Sequence, residues 1–460
     1  MTFDGGGGGP VEASKAFAEE RVLVVGLGVA GRAAARVLAE EGARVRVTEE
    51  RADPAGVKEI RALGAEVLTG GHEPWHLDGV TAVVASPGVP EGAQVLRWAA
   101  DRGVAVWSEL DVGARLCRAP YIAVTGTNGK STTTMMVASM MVAAGLDATA
   151  CGNIGHPFSL AAREGHAALA VEASSFQLRF HHWLHPRVSI LLNVAQDHVD
   201  WHGSFERYAE AKARLYERQE ADDVHVGNAD DDRGRLISGA SPCRVVWFRT
   251  GPPGDGEVGF VDRELVARID GEATLGMPPS DAVGFRADAA AAAAAALSFG
   301  LSAGAVAEGL RRTHPLPHRG EEVARVGSVT FLDDSKATNV HAALHALSGR
   351  HDVVLIAGGM AKGVDLSPLA DATPTLAGVV AVGEAAPEIA MLFESKVPVT
   401  KADSIEEAAR EAFELAPPEG TVLLAPACAS WDMFRDYAER GERFARAARR
   451  LAREVADGPR

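Results

Sequence analysis

Thr125-Gly-Thr-Asn-Gly-Lys-Ser131 follows the apolar run Tyr121-Ile-Ala-Val124 and precedes a helix-forming stretch. A continuous apolar run of this kind suits a strand buried on both faces of a parallel sheet. Gly126 and Gly129 let successive backbone N–H groups turn toward one centre, where the helix N-terminus adds partial positive charge. In that setting Lys130 neutralises terminal phosphates, and the Ser131 hydroxyl faces a phosphate-bound magnesium ion. Val124 stands where the common phosphate loop has its first glycine, so the spacing here is shorter. A tight turn with a surface lysine is the plainer alternative, and the strand before and helix after weigh against it.

Toward the N-terminus a second strand–glycine–helix unit appears. Arg21-Val-Leu-Val-Val25 is followed by Gly26-Leu-Gly-Val-Ala-Gly31, a helix to about Glu41 and a strand over 43–48. Alternation continues through 82–85 and 104–107. Downstream of the Lys130 loop, strands are expected at 167–171, 188–192 and 245–248. The Gly-, Pro- and Asp-rich stretch 249–279 reads as surface hairpins and loops. A helix over 289–296 ends before Gly300. A third α/β unit begins near Leu316, with strands at 329–332, 353–357, 378–382 and 421–425 and a last helix over 433–455. The expected organisation is therefore α/β with a disordered tail (1–20) and three domains, 21–118, 119–315 and 316–460.

The 460 residues suit about three domains. A formal net charge of −16 argues against general binding to nucleic acid or to an anionic membrane surface. It leaves room for an anionic small ligand, because a phosphate pocket needs only a few local donors. Cys117, Cys151, Cys243 and Cys428 form no CxxC pair, which reads as reduced thiols in a cytoplasmic protein. The Gly tract near the start has neither a basic region nor an apolar core, so no signal peptide is expected. The apolar stretch 135–144 is too short to span a bilayer.

Glu172 ends the strand 167–171, and a carboxylate at the C-terminal end of a parallel strand is well placed for a ligand. Magnesium prefers such oxygen donors. His198, in Asn193-Val-Ala-Gln-Asp-His198, falls on the same rim, although a histidine seen alone is more often structural. Gly26-Leu-Gly-Val-Ala-Gly31 fits a dinucleotide fingerprint, with Glu49 or Glu50 available to a ribose. A nicotinamide-binding redox protein is the rival reading, and it leaves the Lys130 loop and the third unit without a purpose. His181, His182 and His185 have no partner ligands in their segment and read as surface residues.

The string from Thr125 to Ser131 resembles the ATP loop of the Mur ligases and the related folylpolyglutamate synthetases. Asp333-Asp-Ser-Lys-Ala-Thr-Asn339 and Ala425-Pro-Ala-Cys-Ala-Ser-Trp-Asp432 are similar to boxes of the D-glutamate-adding branch of that family. The resemblance implies an N-terminal Rossmann-like domain, a central P-loop-type ATPase domain and a C-terminal Rossmann-like domain. It also implies ATP-dependent ligation of D-glutamate to UDP-N-acetylmuramoyl-L-alanine through an acyl phosphate, by a cytoplasmic monomer. Other Mur-type or folate-type acceptors are the nearest alternatives.

The same resemblance assigns Gly126, Thr127, Asn128, Gly129, Lys130, Ser131, Thr132, Arg319, Asp334 and Lys336 to ATP. Two magnesium ions are implied at Ser131, Glu172, His198 and Lys212, the last as a carbamate, with Lys130 also catalytic. The UDP substrate falls to Gly28, Val29, Glu49, Arg51, Ser86, Pro87, Gly88, Asn153, Ser174 and Gln177, and D-glutamate to Thr338, Lys362, Ser430 and Tyr437. The likeness lapses at Gly284-Phe-Arg-Ala-Asp288, where the family has His-Asn-x-x-Asn. Phe285 offers no amide to adenine, and Asp288 is expected to cap the helix that follows. Domain closure is expected to hinge near 118 and 315.

Overall fold

The computed structural model describes residues 15–457. Most of the expected tail lies outside them. Residues 15–20, assigned to the same tail, are ordered instead. Phe17 is fully buried, 6.4 Å from the Trp107 ring, with the Arg115 guanidinium 4.4 Å above its centroid. A single large apolar side chain, removed from water on both faces, fixes the entry to the first domain.

The first sheet holds β1 (Arg21–Val25), β2 (Arg44–Glu49), β3 (Glu66–Thr69), β4 (Ala82–Ala85) and β5 (Ala105–Trp107). Its order is β3-β2-β1-β4-β5 and every pairing is parallel. The order of strand addition reverses at β1, with β2 on one side and β4 on the other, so the loops after β1 and β4 flank a crevice at the switch point.

The second sheet holds β6 (Tyr121–Thr125), β7 (Ala148–Gly152), β8 (Ala168–Glu172), β9 (Val188–Leu191), β10 (Val224–Asn228), β11 (Arg244–Phe248), β12 (Glu257–Val261), β13 (Glu264–Ala267) and β14 (Ala273–Gly276). Its order is β14-β13-β12-β11-β10-β9-β6-β8-β7. The stretch expected as surface hairpins and loops supplies β12, β13 and β14, whose antiparallel hairpins extend this sheet instead of lying apart on the surface. Val258, Phe260 and Leu265 anchor the extension in the core, so polar composition concealed a buried edge.

The helix Val283–Ser298 crosses the inner face of that sheet, and Ala289 to Ala296 are all fully buried. Their small side chains allow close approach to strands and to the helix Lys130–Ala143. On the other flank of Lys130–Ala143, the helix Ala303–Arg312 packs so tightly that a Cβ on Gly309 would lie 2.4 Å from the Met140 Cα.

The third sheet holds β15 (Glu321–Val326), β16 (Val329–Asp333), β17 (Val353–Gly358), β18 (Leu376–Val382), β19 (Val399–Ala402) and β20 (Thr421–Ala427), in the order β15-β16-β20-β17-β18-β19. Only β15 runs antiparallel to its neighbour. The last helix is Tyr437–Asp457, starting four residues later than expected.

The junction near 118 is bonded on both sides. In the helix Glu109–Leu116, Val112 belongs to the first domain's core and Leu110 to the second's. Asp111 Oδ1 accepts the backbone N–H groups of His182 and Trp183 at 2.6 and 3.0 Å, and Glu109 accepts that of Ser159 at 2.6 Å. Among the described residues no helix is long and apolar enough to cross a membrane.

Candidate active site

Strand register assembles the centre of the site. β6 lies between β8 and β9, with Val124 opposite Glu172 and Thr125 opposite Leu191. The loop after β6, the carboxylate ending β8 and the segment after β9 therefore emerge side by side. Asn193 clamps Asn128 from both sides, its Oδ1 accepting the Asn128 N–H at 2.9 Å and its Nδ2 donating to the Asn128 carbonyl at 3.2 Å. Thr127 Oγ1 takes hydrogen bonds from the Ala195 N–H and the fully buried Tyr208 hydroxyl, at 2.9 and 3.0 Å. Gly129 has φ +87°, and a Cβ there would meet Asp288 Oδ1 at 2.0 Å. The loop is rigidly held before any ligand contacts it.

Lys130 begins the helix Lys130–Ala143, and its Nζ donates to the carbonyls of Gly126 and Thr127 at 2.8 and 2.9 Å. Burial lowers its pKa, partly opposed by Glu172 and Asp197. Lys212, which only the family resemblance singled out in its helix, is 1% exposed and donates to the Gly126 carbonyl at 2.7 Å. Burial, reinforced by the charge of Lys130, pushes its amine well below the usual lysine range.

Glu172 Oε1 accepts the Asn153 amide at 2.9 Å, while its buried Oε2 has no hydrogen-bond partner among the described residues. His198 sits at φ 52° and stacks edge-on to Phe176, 4.7 Å between centroids. Burial drops its pKa to about 4, against the opposing pull of Asp197, so the ring is neutral and able to ligate. Glu172, His198, Lys212 and Ser131 line one cleft. An orphaned carboxylate oxygen among a hydroxyl and a neutral imidazole fits a magnesium ion.

The cleft, about 510 Å³, extends under the C-terminal domain, where Arg319, Asp334, Lys336 and Thr338 line it. Burial raises Asp334 to about 7, and burial together with Arg319 lowers Lys336 to about 8. Lys336 Nζ rests 3.8 Å from the Tyr437 ring centroid. Lys362 stands just behind that lining and pairs with the cleft residue Asp197 at 3.0 Å. Ser430 is buried nearby and, like Tyr437, stands outside the cleft lining.

Three residues important to this geometry were missed in the sequence. Asp197 receives Lys362 and Asn339 from the C-terminal domain, and Asn339 also bonds to Asn128 of the phosphate loop. Arg440, 1% exposed, donates to the carbonyls of Ser335 and Cys428 at 2.9 and 3.2 Å, stapling two site loops together. The i, i+3 or i, i+4 patterns that reveal helix faces say nothing about such partners, most of them more than a hundred positions away.

The substrate residues expected in the first domain gather at its switch point. Ser86 Oγ donates to the Gly26 carbonyl at 3.1 Å, and a Cβ on Gly31 would lie 2.0 Å from that same carbonyl. Gly28, Pro87 and Gly88 belong to these two loops, and Val29 opens the helix Val29–Glu40 with its side chain exposed. Glu49, expected to face a ligand, is turned inward. Its Oε2 accepts the Leu27 N–H at 2.7 Å and its Oε1 accepts Arg51 Nε at 2.9 Å, because a buried carboxylate needs compensating donors. The neighbouring Arg51 guanidinium holds its pKa at about 2. Glu91, after β4, accepts Arg179 and Arg207 of the central domain at 2.8 and 2.5 Å, tethering the loop.

The remaining expected residues fall in three places. Asn153 and Ser174, expected to meet the UDP substrate, line the central cleft beside Glu172. Gln177 lies beneath that cleft, bonded to Ser174 in the capping box of the helix Ser175–Arg179, whose first N–H groups need acceptors. Asp288 is inside the helix Val283–Ser298, whose N-cap is Ala282; it packs on the phosphate loop, and burial raises it to about 7. His181 is fully buried, its Nε2 2.8 Å from the Arg214 carbonyl, and the three histidines find separate partners.

The phosphate loop, the orphaned Glu172 oxygen and the cations Arg319 and Lys336 meet in one cleft between the central and C-terminal domains, as a nucleotide-dependent ligase requires, and family-model matches in all three domains show that the chain belongs to the Mur ligase family. It matches the Mur ligase MurD-like N-terminal domain over residues 20–108, the Mur ligase middle domain over 124–253 and the Mur ligase glutamate ligase domain over 318–428. It is 43% identical to a UDP-N-acetylmuramoylalanine–D-glutamate ligase of Frankia casuarinae, over 93% of each chain. It is 41% identical to the enzyme of that name from Thermobifida fusca, over 94% of this chain and 98% of the relative.

Among solved structures, a pseudomurein peptide ligase type C from Methanothermus fervidus shares the fold, with TM-score 0.60 and 19% identity over 94% of this chain and 99% of that one. A UDP-N-acetylmuramate–alanine ligase from Thermotoga maritima gives TM-score 0.55 and 18% identity over 95% of this chain and all of that one. The family uses ATP and magnesium.

Proposed function

We propose that the protein joins D-glutamate to UDP-N-acetylmuramoyl-L-alanine at the expense of ATP, in peptidoglycan precursor synthesis in the cytoplasm. The observation that carries this reading is one cleft lined by the Lys130 loop, Glu172 and His198 from the central domain and by Arg319, Asp334, Lys336 and Thr338 from the C-terminal domain. The names of relatives at 43% and 41% identity over nearly the whole chain support the choice of substrates.

In this reading the N–H groups from Gly126 to Thr132 hold the triphosphate. Lys130 and Arg319 draw charge from the phosphoryl group as it moves to the L-alanyl carboxylate. Ser131, Glu172, His198 and a carbamate on Lys212 would hold two magnesium ions, which supply electrostatic stabilisation of the phosphate oxygens. A lysine whose burial favours the neutral amine suits carbamate formation, since the free base is the nucleophile.

Gly28, Val29, Arg51, Ser86, Pro87 and Gly88 would seat the UDP moiety at the first sheet's switch point, with Glu49 holding the turn and Asn153 and Ser174 nearer the reacting end. Lys362, Thr338, Ser430 and Tyr437 would hold D-glutamate, whose amine attacks the acyl phosphate and expels phosphate. Asp334 and Lys336 belong to the ATP side. The test is an ATP-coupled substrate panel read by product mass. D-Glutamate with the L-alanyl nucleotide should give product, and turnover with L-lysine, diaminopimelate or L-glutamate alone would refute the assignment.

A further inference from the structure

Asp197 and Lys362 form an ion pair between domains, 3.0 Å long, with both side chains less than a tenth exposed. Asp197 follows β9 in the central domain, and Lys362 follows β17 in the C-terminal domain at φ 56°. The other groups facing the carboxylate are few. Asn339 Nδ2 donates to Oδ2 at 3.1 Å, the His198 N–H donates to Oδ1 at 2.9 Å, and His198 Nε2 lies 3.6 Å from Oδ2. Asn339 in turn bonds to Asn128 in the phosphate loop, so this carboxylate stands one side chain away from where a terminal phosphate would lie.

Removing two charges from water is costly, and a buried pair is poor value as a simple strut. An α-amino acid presents its own complement to such a pair, with an anion and a cation on one carbon. We propose that the Asp197–Lys362 pair is the substrate-free form of a zwitterion site: the incoming amino acid inserts between the two, its carboxylate passing to Lys362 and its ammonium to Asp197. Each charge exchanges one partner for another, so the site stays neutral and the dehydration of both protein charges precedes binding. Asp197 thereby fixes the nitrogen beside the phosphate loop and is the carboxylate that takes the proton the ammonium must shed before the free amine attacks the acyl phosphate. This inference rests on the reading of Lys362 as a D-glutamate ligand.

The experiment starts with the wild-type enzyme. Absence of D-glutamate ligation would remove the functional reading itself. Given ligation, D-2-hydroxyglutarate is the informative probe, because it keeps the carboxylates, chirality and size and replaces the ammonium by a hydroxyl. Its inhibition constant should exceed the D-glutamate KM at least about tenfold in the wild type. In Asp197→Asn the D-glutamate KM should rise at least about tenfold, with the ATP KM moving less than about twofold. Hydroxyglutarate should bind that variant as well as before or better, since Lys362 has lost its partner. Equal binding of the two ligands by the wild type, or equal weakening of both in the variant, would overturn the proposal. If the variant does not fold, the wild-type comparison alone decides.

Discussion

Asn128 and Asn339 exchange amide hydrogen bonds across the junction of the central and C-terminal domains, Asn128 Nδ2 to Asn339 Oδ1 at 3.3 Å and Asn339 Nδ2 to Asn128 Oδ1 at 3.1 Å. One partner lies in the phosphate loop and the other caps the helix Val340–Leu347. The loop that grips nucleotide is thus also the surface on which the amino-acid domain closes.

Asn339→Asp separates these duties. An aspartate retains the capping oxygen that accepts the Ala342 N–H at 2.9 Å, so the helix stays intact. It loses the donor to Asn128 and to Asp197 and sets a second carboxylate against the latter. Two hydrogen bonds of about 1 kcal/mol each, plus repulsion, favour opening. Small-angle scattering should show a larger radius of gyration with the melting temperature nearly unchanged, and the amino-acid KM should rise. An unchanged radius would mean that closure is held elsewhere.

Glu49 makes a prediction with a definite pH direction. Its folded pKa of about 2 lies below the ordinary 4.5, so its stabilisation is present above pH 4.5 and is lost as pH falls through about 2. Glu49→Gln, melted between pH 7 and pH 3, should differ most from the wild type at pH 7 and converge with it in acid. The UDP-substrate KM should rise as well, because the Leu27 N–H loses its charged acceptor. A constant difference across pH would contradict the role given to the ionised group.

Asp288 has the opposite sign. Burial raises its pKa from 3.8 to about 7, so the folded state holds a proton that the unfolded state releases. Its contribution is therefore fully present below pH 3.8 and is lost as pH rises through about 7, at no more than about 1.4 kcal/mol per pH unit. Asp288→Asn keeps the shape and removes the titration. Its melting temperature relative to wild type should climb from pH 5 to pH 8, and a flat difference would show that the carboxyl is already ionised against the loop.

The parts of this arrangement that were legible in sequence are those carried by short, local patterns. Val22 to Val25 and Ile122 to Val124 are buried strand residues because an unbroken apolar run has no polar face to offer water. The glycine turns after both strands were readable for the same local reason. Glu172, at a strand's end, could be placed on a rim, whereas its register opposite Val124 needed the sheet.

Less was legible wherever burial is decided by distant chain. Lys212 carries no mark of its depth, which Tyr208 and the Gly126 carbonyl create. Glu49 looked like a ligand residue until the Leu27 N–H, twenty-two positions away, claimed it. Asp197 meets Asn339 at a separation of 142 residues, beyond any periodicity. Hairpins were legible in the turn-rich stretch of β12 to β14, but not their union with the central sheet, which rests on a few buried side chains.

Lys130→Ala tests the division of labour between domains. Removing a charge that stabilises the transferred phosphoryl group should lower kcat at least about a hundredfold. Binding of the UDP substrate, measured by calorimetry, should change less than about threefold, since that site lies at the first sheet's switch point. Parallel loss of both would mean that the two sites share the lysine.

The central claim is that the cleft passes a phosphoryl group to a carboxylate before the amide forms. UDP-N-acetylmuramoyl-L-alanine labelled with oxygen-18 in its alanyl carboxylate, incubated with ATP and D-glutamate, tests it directly by mass spectrometry of the released phosphate. Each released phosphate should carry one labelled oxygen. Ligation product accompanied by unlabelled phosphate would contradict it.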